Sequence, residues 1–104
     1  MLMDDELLKR FRQIGRQEHT PDPVVICRLY DTAGTAKWFL TEYDPETQMA
    51  FGFVTGLQED EWGYVFFPEL ELLIHPLFGI PRIERDPYFK EAPISQILPS
   101  VGRG

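Results

Sequence analysis

Two strand-like runs joined by a tight turn constrain the fold of this chain more than any other feature. Residues 37–43, KWFLTEY, and 49–55, MAFGFVT, have the length of strands and are rich in aromatic side chains. Between them lies DPET, where Pro45 already has the φ that the second residue of a type I turn requires. The sequence therefore predicts an antiparallel hairpin over residues 37–55.

The sequence distinguishes the two faces of the second hairpin strand but not those of the first. In MAFGFVT large and small side chains alternate, which indicates one packed face and one face that a neighbour approaches closely. We expect the small face to lie under a helix. In KWFLTEY both faces carry large apolar residues, so either could meet the core.

Three further strands are indicated. The apolar run from Val24 to Tyr30 predicts a buried strand, and WGYVFF, residues 62–67, predicts another. Residues 79–84, GIPRIE, predict a short strand at a sheet edge, because proline is tolerated at edges and not in the middle of a sheet.

Helix signals stand at both ends of the chain and in the middle. Asp4 or Asp5 can cap a first helix that Gly15 ends, and Pro68 fits the first turn of a second helix. A short third helix is predicted in APISQIL, with Pro93 near its first turn. The second helix is predicted to continue as an apolar stripe, unless Pro76 ends it before the last member. That stripe consists of Leu70, Leu73, Ile74 and Leu77.

These segments predict an α+β fold, an antiparallel four- to five-stranded meander sheet with helices packed on one face. The chain has 104 residues, too few for two self-sufficient cores, so residues 1–104 are predicted to form a single domain. The last residues, 99–104 with the sequence PSVGRG, are predicted to be frayed.

Charge and cysteine content limit the binding partners and the cellular compartment that we expect for this chain. With 17 acidic and 10 basic residues the net charge is −7, which disfavours direct nucleic-acid binding. The N-terminus is acidic where a signal peptide needs basic residues, and no apolar run approaches the roughly 18 residues that span a membrane. Cys27 lies alone in an apolar run, where a buried structural role is expected. We expect a cytoplasmic protein that does not bind membranes.

The sequence EDEWGYVFF contains the clearest candidate contact surface. Glu59, Asp60 and Glu61 are tolerated as neighbours in an exposed loop, so they require no metal ion. Trp62 beside them is either a lid over the core or a contact residue for a partner.

Other candidate residues are scattered. Glu42 and Asp44 could do acid–base chemistry only if they were partly buried, and Arg82 and Arg85 could form an ion-pair ladder or clamp an anion. Neither histidine has metal-ligand spacing and no serine lies beside one, so no catalytic residue, metal or other cofactor is predicted. The predicted partner contacts are Glu42, Asp44, Glu59, Asp60, Glu61, Trp62, Arg82 and Arg85.

The order of these segments resembles a family of small bacterial domains, domain of unknown function twenty-nine fifty-eight. One matching motif, Trp-x-Leu-Thr-Glu-x-Asp-Pro-Glu, is carried here by residues 38–46, and a second, Pro-x-x-Glu-Arg-Asp, by residues 81–86. The resemblance implies no known activity. It does imply an accessory role, since similar domains are often carried by plasmids and integrative elements. This chain departs from the family between Thr55 and Trp62, where GLQEDE is more acidic.

The leading hypothesis is a cytoplasmic accessory or protein-interaction module that binds an unknown protein partner and is compatible with a small oligomer. One alternative is a small enzyme for an anionic substrate, with Glu42, Asp44 or Glu84 as acid or base and Arg82 or Arg85 holding the substrate. A second alternative is an acidic mimic of nucleic acid that inhibits a host DNA-binding protein. It requires the acids of the DPET turn and the QEDE loop to form one continuous patch.

Overall fold

The computed structural model describes residues 2–101 and has an α+β architecture. Five antiparallel strands form the main sheet in the order β5-β4-β3-β2-β6, and β1 and β7 pair with each other. Strands β2 to β5 form the predicted meander. A fifth strand, β6, lies at one edge as predicted, but it spans Ile83–Arg85 and not residues 79–84. In chain order the elements are α1 (Asp5–Ile14), β1 (Val24–Val25), β2 (Cys27–Asp31), β3 (Lys37–Asp44), β4 (Met49–Thr55), β5 (Glu61–Phe66), α2 (Phe67–Leu72), β6 (Ile83–Arg85), β7 (Ala92–Pro93) and α3 (Ile94–Ile97).

The predicted hairpin is formed by β3 and β4, and it contains a β-bulge. Their register shifts between Leu40 and Glu42, so one extra residue lies on β3. Gly52 makes this close approach possible, because a Cβ atom there would lie 2.1 Å from the carbonyl oxygen of Phe39. The bulge also turns Tyr43 toward the face on which Leu40 is buried, so β3 contributes large side chains to that face on both sides of the bulge.

The first face of the sheet is covered by α1 and α2. Phe11 from α1 and Phe67 and Leu70 from α2 are buried there, over Ala50 of β4. The Tyr43 ring lies 5.8 Å from that of Phe11 and 5.5 Å from that of Phe67. The small face of β4 therefore lies under helices, as expected, and each large side chain buried here contributes about 1.5–3 kcal/mol.

The second face of the sheet carries a smaller core under α3. Phe39 and Phe53 are buried on this face with Val25 and Ile94. The N-terminal and middle helices thus share one face as predicted, while the short α3 packs on the other. Both faces of β3 meet apolar cores, which resolves the choice that the sequence left open.

α1 begins and ends where its caps indicate. The side chain of Asp4 accepts a hydrogen bond from the Leu7 amide at 2.7 Å, and the Gly15 amide bonds to the carbonyl of Phe11 at 3.0 Å. None of the helices within residues 2–101 combines the length and the apolarity that crossing a membrane requires.

The prediction of one continuous strand from Val24 to Tyr30 is wrong. The run divides at Ile26 into β1, which pairs with β7, and β2, which joins the main sheet. Ile26 and Cys27 are consecutive and both belong to the first-face core, so the alternation of a regular strand is interrupted there. An apolar run by itself does not show such a break, because both halves are buried.

The prediction of an apolar stripe continuing along the second helix is also wrong beyond Leu70. α2 ends at Leu72, and Leu73 already has extended backbone. Pro76 explains this end: its ring would clash with the carbonyl four residues earlier, that of Leu72, and it disfavours helical backbone at His75.

The predicted frayed tail, 99–104, lies partly outside the described residues. Within them, Leu98 and Val101 pack against the second-face core, and the Val101 amide bonds to the Leu98 carbonyl at 2.9 Å. Residues 102–104 are outside the described part of the chain.

Candidate functional site

An exposed apolar segment begins at the last residue of α2, and we call residues 72–80 the apolar lobe. Among residues 2–101, six of the ten exposed large apolar side chains lie in this segment, with exposed fractions from 43% at Leu73 to 81% at Leu77. The six are Leu72, Leu73, Ile74, Leu77, Phe78 and Ile80. Such a concentration of exposed apolar side chains is typical of an interaction surface.

Hydrogen bonds order the backbone of the lobe around His75, whose side chain is buried. The His75 amide donates to the Ile80 carbonyl at 2.7 Å, and the Gly79 amide donates to the His75 carbonyl at 3.1 Å. The Leu77 amide donates to Nδ1 of His75 at 3.1 Å, and the imidazole lies 4.7 Å from the Phe78 ring. The apolar side chains are therefore presented by a defined loop.

The stem of the lobe is tied to the β6 side of the sheet. Arg82 donates its amide to the Leu73 carbonyl at 2.8 Å, and Ile74 pairs with Pro81 across the stem. The Arg82 guanidinium also forms two hydrogen bonds with the Asp31 carboxylate, at 2.8 and 2.9 Å. These bonds lower the pKa of Asp31 below its usual value. The ion pair fixes the chain where it leaves the lobe.

The predicted anion-binding arginines both have carboxylate partners within the fold. Arg85 pairs with Asp4 at 2.6 Å, whereas Arg82 pairs with Asp31. Nearby, Arg28 pairs with Asp86. The arrangement is a set of separate ion pairs that join α1, β2 and β6, so neither Arg82 nor Arg85 presents an unpaired guanidinium to a substrate.

The acidic loop, which we define as residues 58–61 (QEDE), leads into β5 and borders an open groove on the first face of the sheet. Glu59 and Glu61 are exposed and line this groove, which has a volume of about 830 Å³, together with Gly63, Val65 and Leu70. The carboxylate of Asp60 accepts a hydrogen bond from the Gly56 amide at 3.1 Å, which stabilises the loop.

Trp62 has a structural role in the second face. It is half-buried, and its ring lies 5.4 Å from that of Phe53 and 5.7 Å from that of Phe51. It packs at the border of the second-face core. Trp62 is thus part lid and part surface, between the two roles that the sequence allowed.

The two carboxylates at the end of β3 accept hydrogen bonds from backbone amides of the fold. Glu42 accepts a hydrogen bond from the Gln17 amide at 2.9 Å, and Asp44 accepts one from the Glu46 amide at 2.9 Å. Both line a different groove from Glu84 and Arg85. The structure therefore separates Glu42 and Asp44 from Arg85, whereas Glu84 and Arg85 line the same groove.

The two acidic segments lie at opposite ends of β4. The DPET turn precedes this seven-residue strand and the QEDE loop follows it. A strand of that length separates its ends by roughly 20 Å. Residues Met49–Thr55 carry no acid that could connect the two segments.

Cys27 is buried, and burial raises the pKa of its thiol to about 12. The thiol therefore stays protonated near neutral pH and is a poor nucleophile. Within residues 2–101 no three or more His, Cys, Asp or Glu side chains are grouped so that they could hold a metal ion.

The lobe is the candidate surface that the sequence did not predict. The sequence instead predicts that three of the lobe's residues, Leu73, Ile74 and Leu77, continue a helical stripe, because their spacing fits one. The signal against that assignment was local: HPLFGIP places two prolines and a glycine within seven residues, which favours a turn over a helix.

Comparison with known proteins identifies a family but no activity. Residues 2–100 match the model of the family described as Protein of unknown function (DUF2958). No curated protein matches the chain significantly, and no solved structure does either.

Proposed function

We propose that this chain, which belongs to the family described as Protein of unknown function (DUF2958), acts by binding another protein through its apolar lobe. The observation that carries the proposal is the exposure of six large apolar side chains in one ordered loop. Side chains exposed to this degree present on the order of 500 Å² of apolar surface, compared with the roughly 800 Å² that each partner buries in a standard interface.

The order of the lobe strengthens the proposal. A loop whose backbone is already held by hydrogen bonds loses little conformational entropy when it binds, so more of the contact energy is available for affinity. Leu77 and Phe78 lie at its tip and are 81% and 69% exposed, which suits them as anchors for an apolar pocket on the partner.

Charge favours a protein as the partner. With a net charge of −7 the chain is repelled by phosphate backbones and by anionic lipid surfaces. An apolar surface on an acidic domain is best matched by a protein surface that is apolar at its centre and neutral or basic at its rim.

The cellular setting belongs to the same proposal. A cytoplasmic accessory module is supported by the single buried thiol and by the resemblance to domains carried on mobile elements. A small oligomer remains compatible with the lobe, because two copies could bury their lobes against each other.

The two alternatives have less support. An enzyme for an anionic substrate would require Glu42, Asp44 or Glu84 to act beside Arg82 or Arg85. Glu42 and Asp44 line a different groove from Arg85, and although Glu84 shares a groove with Arg85, that guanidinium is already paired with Asp4. A nucleic-acid mimic would require a continuous acidic patch, and β4 separates the two acidic segments by its full length.

The decisive experiment compares capture by three forms of the protein from a lysate of its native host. The first is wild type, the second carries Leu77→Ser with Phe78→Ser, and the third carries Tyr88→Ser. Tyr88 is the control, because its side chain is 88% exposed and lies outside both the lobe and the groove beside β5. We expect one specific protein to be retained by wild type and by the control, and to be lost with the lobe variant.

Equal retention by all three forms would refute binding through the lobe. Sedimentation of the purified forms adds a second reading, because a wild-type dimer that the lobe variant abolishes would identify a second copy as the partner. All three forms are expected to have equal thermal stability, since the exchanged side chains are exposed.

A further inference from the structure

We propose that the free edge of β5 is a second docking site, which accepts an extended, lysine- or arginine-bearing segment of a partner protein as a sixth strand of the sheet. This site lies at the opposite edge from β6 and the stem of the lobe. Four strand spacings separate the two edges, roughly 19 Å. The site therefore does not depend on the lobe being an interface.

The hydrogen-bonding pattern of β5 leaves the backbone amides of three alternate residues pointing away from β4. The Phe67 amide donates to the Gln48 carbonyl at 2.9 Å, and in an antiparallel pair the residues that bond to the neighbour alternate. The amides of Val65 and Gly63 therefore face β4, and the backbone groups of Trp62 and Tyr64 and the amide of Phe66 face outward, whereas the Phe66 carbonyl is used at the start of α2. Within residues 2–101 no backbone hydrogen bond to another segment uses those outward groups.

Apart from the charge of Glu61 at its first position, the edge lacks the features that protect exposed strands. β5 has six residues without proline or lysine, and its pairing with β4 runs from Met49 to Val54 without a bulge. The opposite edge strand, β6, has only three residues and follows Pro81. β5 is thus the edge that can accept a strand, as in known cases of strand addition.

The groove on the first face can receive a side chain of the added strand. Gly63 leaves space at the edge, because a Cβ atom placed there would meet no atom within 4 Å. Beyond it the groove is lined by Val65, Val54 and Leu70. An apolar side chain opposite Gly63 would enter this groove, and Tyr64, 73% exposed, would cover the second face of the added strand.

The negative charge at this site favours a basic segment, and not a second copy of this chain, as the added strand. Glu59 and Glu61 stand at one end of the groove, and no lysine or arginine lines it. Two copies that each carry a net charge of −7 repel each other, whereas lysine or arginine near these carboxylates is attracted.

The test uses a synthetic peptide about nine residues long, with valine and threonine alternating at its centre and lysines at both ends. Added to the ¹⁵N-labelled domain, it is expected to shift the amide resonances of Trp62, Tyr64 and Phe66 and to slow their hydrogen exchange. Two further peptides carry N-methyl groups on alternate residues. We expect one methylated set to abolish binding and the other to leave it intact, because only one set faces β5.

Matched protein variants test the same contact. Tyr64→Pro removes one outward amide and is expected to weaken binding roughly tenfold, whereas Tyr64→Thr keeps the amide and changes affinity by no more than about threefold. The lobe variant with Leu77→Ser and Phe78→Ser is expected to bind the peptide as wild type does. Failure of this site can thus be told apart from failure of the lobe.

Several results would overturn the proposal. They are equal binding of both methylated peptides, equal binding of a peptide with glutamate in place of lysine, and resonance shifts confined to other parts of the sheet. A dimer that forms without peptide and that Tyr64→Pro abolishes would replace the basic partner with a second copy of this chain. The methylated peptides leave the protein unchanged, so the test stands even if Tyr64→Pro does not fold.

Discussion

α2 and the apolar lobe are adjacent segments that both contain large apolar side chains, but these are buried in most of α2 and exposed in the lobe. In α2, Phe67 and Leu70 are 1% and 5% exposed and belong to the first-face core. In the lobe, Leu77 and Phe78 extend into solvent at 81% and 69% exposure. The helix can place every third or fourth side chain on the sheet, whereas the turn that follows it has no such periodicity.

In this part of the chain, apolar side chains are buried where the helical repeat places them on the sheet and are exposed where that repeat ends. Pro76 ends the helix, and the hydrogen bonds around His75 then close a loop that points away from the sheet. The core is complete without the lobe, so the apolar side chains of the lobe are free for another molecule.

The largest difference in stability is expected when the same substitution, leucine to alanine, is made in α2 and in the lobe. Leu70→Ala removes a buried side chain and should lower the free energy of unfolding by about 2–5 kcal/mol, because it leaves a cavity. Leu77→Ala should change it by less than about 0.5 kcal/mol. Urea unfolding measures both, and similar losses at the two positions would mean that the lobe packs against the fold in solution.

A smaller effect is expected from the turn that orders the lobe. Gly79 has φ +68°, and a Cβ atom there meets no atom within 4 Å, so Gly79→Ala should cost about 1 kcal/mol from backbone strain alone. Gly63→Ala is the matched control, because it has equal space without a positive φ. The control should be neutral or slightly stabilising, and an equally destabilised control would rule out strain as the cause.

Acid should weaken the stem of the lobe before its apolar tip. The hydrogen bonds from Arg82 lower the pKa of Asp31 in the folded state, from the usual value of 3.8. The stabilisation from this pair is therefore complete above that value and is lost as the pH falls below it through the folded-state pKa. Arg82 is partly exposed, so solvent screens the pair and we expect only a small loss of stability.

Unfolding measured in urea at pH 7 and pH 3 tests this effect. Asp31→Asn should be less stable than wild type at pH 7 and should lose less stability on acidification. An unchanged pH dependence in Asp31→Asn would show that other carboxylates, such as Asp4 beside Arg85, account for the acid sensitivity.

The smallest effect is expected from Pro76→Ala. The substitution permits helical backbone at His75, but the bonds from the His75 and Arg82 amides still hold the loop. We expect a loss of about 0.5 kcal/mol, because alanine gives the unfolded chain more freedom. Circular dichroism should show no added turn of helix; a gain would mean that Pro76 alone keeps the lobe outside the core.

The sequence was a good guide to local structure and a poor guide to the candidate surfaces. The hairpin, the caps of α1 and the proline at the start of α2 follow from residues a few positions apart. An ion-pair ladder was one of the two roles predicted for Arg82 and Arg85, but their actual partners, Asp31 and Asp4, were not predictable, because these carboxylates lie 51 and 81 positions away. The position of β5 at an edge depends on which strand pairs last, which its own residues do not encode.

By itself, the sequence determined the α+β class, the meander and most element boundaries, because turns, caps and alternation act over a few residues of backbone. Only the tertiary structure decided that the residues after Leu72 stay outside, that β6 joins β2, and that β5 keeps a free edge. Those outcomes depend on which distant segments fill each face of the sheet first. Once Phe11, Phe67 and Leu70 fill the first face, the lobe has no core left to enter.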